Sequence, residues 1–261
     1  MDFLLYAMSG ALVGLVVGIT GIGGGSLMTP LLLLFGIPPH IAVGTDLLYA
    51  AITKASGVVA HHRQKTINWT ITLLMVAGSI PSAILTGIIL SAFFDDYQHY
   101  TGIITACLGL MLVITATLLL FRKRLQVFAE RQANLSGSSW LQRNRAALTV
   151  IMGVVLGVFV TLTSVGAGAI GTVVLLILYP YLRSVQIVGT DLAHAVPLTL
   201  IGGLVHLSLG NVDYALLGAL LLGSIPAIHF GTKIGTHLPE SLLRNILAGL
   251  LLILGIKYMI F

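Results

Sequence analysis

Val43-Gly44-Thr45-Asp46-Leu47 returns 145 positions later as Val188-Gly189-Thr190-Asp191-Leu192, and Gly78-Ser79-Ile80-Pro81 returns at the same offset as Gly223-Ser224-Ile225-Pro226. The register holds between the two. Over positions 43–81, twelve of 39 residues match their counterparts, among them Ala50 with Ala195, Gly57 with Gly202 and His61 with His206. Shared apolar composition would not align polar residues in this way, so the chain reads as a duplication. Upstream the offset falls to 143 at the glycine stretches and 139 at Gly14 and Gly153, as small insertions would cause.

The duplicated unit is a membrane unit. Hydrophobic residues make up 57% of the 261 and charged residues only 8%, with a mean hydropathy of +1.05, whereas a soluble domain carries about 25% charged residues. Apolar segments fall at roughly 4–20, 22–36, 41–62, 68–91, 100–121, 147–163, 165–180, 187–208, 212–233 and 241–261, five in each half. Most reach the length that crosses about 30 Å of hydrocarbon as a helix. The second segment of each half is shorter and begins in glycine. The expected fold is therefore an all-α polytopic membrane protein forming one transmembrane domain over 1–261. It comprises repeat 1 (1–121), a linker (122–146) and repeat 2 (147–261), and each repeat contains a short broken or re-entrant helix.

Met1-Asp2 lacks the cationic start of a secretory signal, so the first segment is expected to remain as a span. Cys107 is the single cysteine, which excludes an internal disulfide and a cysteine metal cluster. The net charge of +5 does not point to a nucleic acid. Six of the thirteen basic residues, Arg122, Lys123, Arg124, Arg131, Arg143 and Arg145, lie in the linker and read as a topology signal.

That signal makes the linker cytoplasmic. Going backwards, Asp95-Asp96 then faces outside and His62-Arg63-Gln64-Lys65 faces the cytoplasm. The equivalent of the basic connection in the second half, Ser208-Leu209-Gly210-Asn211, has no basic residue, while Arg183, Lys233 and Arg244 flank the neighbouring connections. Opposite charge alternation favours inverted repeats with both termini outside, which requires the short segments to cross. If they re-enter instead, the repeats are parallel and the termini cytoplasmic.

Ionisable residues inside spans are costly and are functional candidates by default. Asp46, Lys54 and His61 fall within about a quarter turn of one helix, and Asp191, His194 and His206 lie on one side of the equivalent helix. The halves differ where Tyr49 matches His194 and Lys54 matches Thr199, so a site between them would be chemically lopsided. The blander readings are that Asp46 and Asp191 cap helix starts, that Lys54 simply pairs with Asp46, and that His61 and His206 sit at interfacial helix ends.

The glycine stretches, Gly21-Ile22-Gly23-Gly24-Gly25-Ser26-Leu27-Met28-Thr29-Pro30 and Ser164-Val165-Gly166-Ala167-Gly168-Ala169-Ile170-Gly171-Thr172, admit close helix packing. They also admit unwound chain whose N–H groups meet an anion, with Ser26, Thr29, Thr163, Ser164 and Thr172 adding hydroxyls. The candidate substrate-binding set is Gly23, Gly24, Gly25, Ser26, Thr29, Thr45, Asp46, Lys54, Ser164, Gly166, Gly168, Thr190, Asp191 and His194. Asp46, Asp191, His194, His61 and His206 are candidates to carry a coupling proton. No metal or cofactor is expected.

The Gly-rich first turn, Gly44-Thr45-Asp46-Leu47, Gly210-Asn211-Val212-Asp213-Tyr214 and Gly-Ser-Ile-Pro together resemble the sulfite exporter TauE/SafE family across nearly the whole chain. The resemblance implies a transporter of small sulfur-containing anions such as sulfite, sulfonates or sulfoacetate in the bacterial inner membrane. In the first half Lys65-Thr66-Ile67-Asn68-Trp69 replaces the Gly-Asn-Val-Asp-aromatic pattern, so that turn is given no substrate role. A passive anion channel or permease would use the same residues. An intramembrane enzyme is disfavoured, because Gly-x-Ser-x-Gly, His-Glu-x-x-His and an acidic pair suited to a metal are all missing.

Overall fold

The computed structural model describes residues 2–20, 25–93, 97–135, 140–234 and 240–260. Among them the regular structure is entirely helical: α1 (Asp2–Thr20), α2 (Gly25–Leu34), α3 (Pro39–Arg63), α4 (Trp69–Phe93), α5 (Tyr97–Leu135), α6 (Trp140–Arg143), α7 (Arg145–Thr163), α8 (Ile170–Leu178), α9 (Ser184–Ser208), α10 (Tyr214–Ile234) and α11 (Glu240–Ile260). Among the described residues five stretches are long and apolar enough to cross a membrane: Trp69–Ala92, Gly102–Arg122, Arg145–Thr163, Ser184–Ser208 and Tyr214–Gly231. α3 is as long as α9 but less apolar, because it carries Asp46, Lys54, His61, His62 and Arg63.

The distribution of side chains is that of a protein in lipid. Leu73, Leu85 and Ile88 of α4, Leu222 and Phe230 of α10 and Ile253 of α11 are exposed, while Asp46, Lys54, Asp191, His194 and His206 are buried. Water would reverse that arrangement; a bilayer favours it.

The short helices have a local cause. α7 ends at Ser164, which takes a left-handed conformation (φ 57), and Gly166 (φ 116) and Gly168 (φ 113) keep the chain irregular until α8 begins. Glycine adopts such angles without a Cβ clash. The Val165 N–H donates to Thr163 Oγ1 at 3.2 Å, which satisfies one freed backbone group. Gly23 and Gly24 in the first half lie outside the described residues.

Much of the linker is helical. α5 continues through the basic stretch to Leu135, and α6 covers Trp140–Arg143. Runs such as Arg122-Lys123-Arg124-Leu125-Gln126 are good helix formers, so the spanning helix simply propagates beyond its apolar part.

The packing pairs helices across the two halves. α1 lies on α10, α4 on α7, α3 on α9 and α5 on α11. Exchanging α1–α5 with α7–α11 swaps the α1/α10 and α4/α7 pairs, returns α3/α9 and α5/α11 to themselves, and turns α2 against α3 into α8 against α9. Close glycine contacts give the directions. Gly44 meets His206, Gly57 meets Leu192 and Gly189 meets His61, so α3 and α9 run antiparallel. Gly109 meets Met259 and Gly255 meets Val113, so α5 and α11 do the same. α1 and α10 run parallel, since Gly10 meets Leu220, Gly14 meets Ser224 and Gly231 meets Gly18. α4 and α7 run parallel likewise, with Gly153 on Met75 and Gly157 on Ser79.

At Gly14 a Cβ would lie 2.6 Å from the Ser224 carbonyl oxygen. Gly14→Leu should therefore destabilise the detergent-purified protein by about 1–3 kcal/mol, read as a lower Tm. Gly218→Leu, with nothing within 4 Å of the added Cβ, should leave Tm unchanged or raise it through helix propensity.

Candidate functional site

The long α3/α9 contact brings the polar stripes of the two halves together. Asp46, Lys54, Asp191 and His194 are all at most 4% exposed. Asp46 lies seven residues into α3, too deep to cap its own helix. It reaches across to α2 instead, where its Oδ2 accepts from the Thr29 N–H (3.1 Å) and the Thr29 hydroxyl (2.5 Å). The candidate anion donor on α2 is thus occupied by the protein's own carboxylate. Ser164, at the break after α7, also faces Asp46, without a hydrogen bond of good geometry. The side chain of Ser26 is not among those described.

Asp191 plays the matching part in the second half. Its Oδ1 sits against the Cα of Gly171 in the first turn of α8 and has no hydrogen-bond donor, and the Gly168 amide lies beside the carboxylate. Thr172, the counterpart of Thr29, turns its hydroxyl onto the Gly168 and Ala169 carbonyls. The two carboxylates are therefore unequal. Asp46 is held by two hydrogen bonds; Asp191 is loosely partnered.

Lys54 lies within electrostatic reach of both Asp46 and Asp191, yet its Nζ makes no hydrogen bond. A buried ammonium in that condition is costly unless something else solvates it. A cavity of about 290 Å³ ends on it. Lys54, Asp191, Gly168 and Thr172 line the inner part, Leu118, Leu119, Val173 and Leu192 form apolar wall, and His61, Arg122 and Ser184 stand where α3, α5 and α9 meet the linker-side face. Among the described residues no group of three or more His, Cys, Asp or Glu is arranged to hold a metal.

Other candidates serve the frame. The Thr45 hydroxyl accepts from the Asp213 N–H (3.1 Å), and its counterpart Thr190 accepts from the Asn68 N–H (3.0 Å). Each repeat thereby holds the entrance of a helix belonging to the other. Asn68 and Asp213 in turn cap those helices, accepting from Ile71 N–H (3.3 Å) and Leu216 N–H (2.9 Å). His206 lies near the end of α9 but does not face outward. It is fully buried, with Nε2 bonded to the Thr161 carbonyl at 2.8 Å, and it lies by Gly44 at the end of α9 away from the cavity mouth. His61 binds Thr66 Oγ1 through Nδ1 at 2.7 Å and lines the mouth.

His194 bonds through Nε2 to Ser79 at 2.9 Å, across to the other repeat. The counterpart pair, Tyr49 and Ser224, is similarly opposed, though without a hydrogen bond of good geometry for Tyr49. Ser79, Thr161, Asn68, Asp213 and Arg122 were not among the site candidates drawn from the sequence. The repeated Gly-Ser-Ile-Pro carried a signal for Ser79, since its serine recurs at the same offset as the Tyr49/His194 position it faces.

A helical bundle with an apolar exterior, a polar seam between its halves and a cavity lined by the buried Lys54 defines a multi-pass membrane protein. Comparison with known proteins places it further. The chain belongs to the family described as "Sulfite exporter TauE/SafE", whose sequence profile matches residues 6–258. It is 42% identical to the probable membrane transporter protein YjnA of Bacillus subtilis over 96% of this chain and 97% of that one. It is 33% identical to the probable membrane transporter protein YdhB of the same organism, over 93% and 96%. A probable membrane transporter protein of Methanocaldococcus jannaschii is 27% identical over 98% and 96%. No solved structure matches significantly.

A methyl group at Gly171 would overlap Asp191 Oδ1. Gly171→Ala should cost about 1–3 kcal/mol in the wild-type background and markedly less in Asp191→Ala, a coupling that a double-mutant cycle of Tm or chemical unfolding would measure.

Proposed function

We propose that the protein is a secondary transporter of small anions, of the sulfite, sulfonate and sulfoacetate type, and that Lys54 is the cationic ligand of its substrate. The observation that carries this reading is the Lys54 side chain, its Nζ buried and unbonded beside a cavity. Its surroundings fit an anion that arrives from the linker side past Arg122 and His61. Membership of the sulfite exporter family and the names of the relatives favour the same class.

We further infer that the two halves are inverted repeats that rock against each other to give alternating access. Helices related by the duplication, α3 with α9 and α5 with α11, run antiparallel. A two-fold axis along the membrane normal keeps helix direction, whereas one in the membrane plane reverses it, so the antiparallel pairing supports inversion. α2 and α8 then act as half-crossings, and both termini lie on the face opposite the linker. The fixed centre is the α3/α9 seam.

Two measurements test these readings. In proteoliposomes, Lys54→Ala should slow sulfite and sulfonate flux at least about tenfold, a loss near 1.4 kcal/mol, with Lys54→Arg retaining part of it; wild-type flux in Lys54→Ala would refute the site. For topology, with Cys107 replaced by Ser, Gln64→Cys and Ser208→Cys should react with an impermeant thiol reagent from opposite sides of the membrane, Gln64→Cys from the cytoplasm. Labelling from the same side would refute inversion.

A further inference from the structure

The charges at the seam do not balance. Asp46, Asp191 and Lys54 in their ionised forms sum to one negative charge, and a monoanion entering the cavity would raise that to two in a low-dielectric interior. Something must neutralise part of it. The three groups differ in how they could respond. Asp46 accepts from the Thr29 amide and hydroxyl in α2, two bonds that favour its carboxylate form, and it does not line the cavity. Asp191 lines the cavity, its Oδ1 has no donor, and Lys54 is the cation that faces it from α3.

We propose that Asp191 and the substrate compete for Lys54, and that the anion takes Lys54 only as Asp191 takes up a proton, so that each anion enters with one proton. This rests on the reading of Lys54 as the substrate ligand. In the empty cavity Lys54 is shared by the two carboxylates. When an anion arrives from the linker side, a proton from water in the cavity mouth forms an O–H bond on Asp191. Lys54 then turns its ammonium to the anion, with Asp46 still ionised behind it. The reaction adds one anion and one proton to the seam and leaves its net charge as it was.

The neighbours of Asp191 leave little else to perform this exchange. From α3 come Lys54 and His61, and from α5 comes Arg122 at the mouth. α4 and α8 carry no ionisable residue, and the single one of α7, Arg145, stands against Tyr179 and Tyr181. On α9 itself, His194 is turned to Ser79. The asymmetry of the halves gains a purpose from this arrangement. Lys54 has Thr199 as its counterpart, so one cation serves two carboxylates, and only one of them opens onto the cavity.

The test uses methanesulfonate and sulfoacetate, whose sulfonate groups stay ionised near neutral pH and bring no proton to that group, unlike sulfite. Methanesulfonate binding to the full-length protein in detergent should weaken about tenfold per pH unit on the alkaline side, as the linkage of one proton to one anion requires. Asp191→Asn should bind it with a pH-independent affinity, and in proteoliposomes should carry it without moving protons, while Asp191→Glu keeps the pH slope. With a trapped pH indicator, the wild type should move one proton with each methanesulfonate. Flat wild-type affinity from pH 5.5 to 8.5, or a pH slope that survives in Asp191→Asn, would overturn the coupling and leave the Lys54 site standing. Unchanged affinity in Lys54→Ala, or no binding of either sulfonate by the wild type, would overturn both.

Discussion

A lysine buried within the helical bundle, within electrostatic reach of two buried carboxylates, constrains everything around it. Neither the ammonium nor the carboxylates could be kept there by lipid, so the helices bearing them must face each other. That requirement accounts for the long α3/α9 contact and for the outward turn of apolar residues on α4, α10 and α11. It also bears on the short helices. α2 and α8 begin inside the protein, where Asp46 accepts from the Thr29 N–H of α2 and Asp191 lies against Gly171 of α8.

The duplication turns these local solutions into a mutual frame. Thr45 holds the entrance of α10 and Thr190 that of α4, while Ser79 meets His194 and Ser224 faces Tyr49. Each bond joins one repeat to the other, so neither half is complete alone. The frame is nearly symmetric, and the chemistry within it is not. Tyr49 against His194 and Lys54 against Thr199 place the ammonium on one side and the cavity beside it.

Much of this was legible in the sequence because exact polar matches at one offset are rare in a chain so rich in Leu, Ile, Val and Ala. The matches located α3 and α9, their stripes and the lopsided pair. What each matched residue does was less visible. Thr45 and Thr190 looked like ligands, yet they serve backbone amides 168 and 122 positions away in the chain, and no local pattern announces a partner that distant. Asp46 and Asp191 looked like caps of their own helix, but helix starts set by Pro38-Pro39 and Arg183 left both a full two turns inside. His206 looked interfacial from its position near a helix end, but the Gly44 contact draws α3 close and buries it. The helical continuation of α5 lay beyond the apolar segment, which its charges end at 121, although the same residues favour helix.

The central claim is that Lys54 is the group that holds the transported anion. The most direct measurement is an experimental structure with a bromine-labelled sulfonate bound, the label located by its anomalous scattering. The account predicts the sulfonate oxygens at about 2.7–3.2 Å from Lys54 Nζ, in the cavity lined by Asp191 and Gly168, with Lys54 turned from Asp191. A sulfonate bound elsewhere, with Lys54 still shared between Asp46 and Asp191, would contradict it.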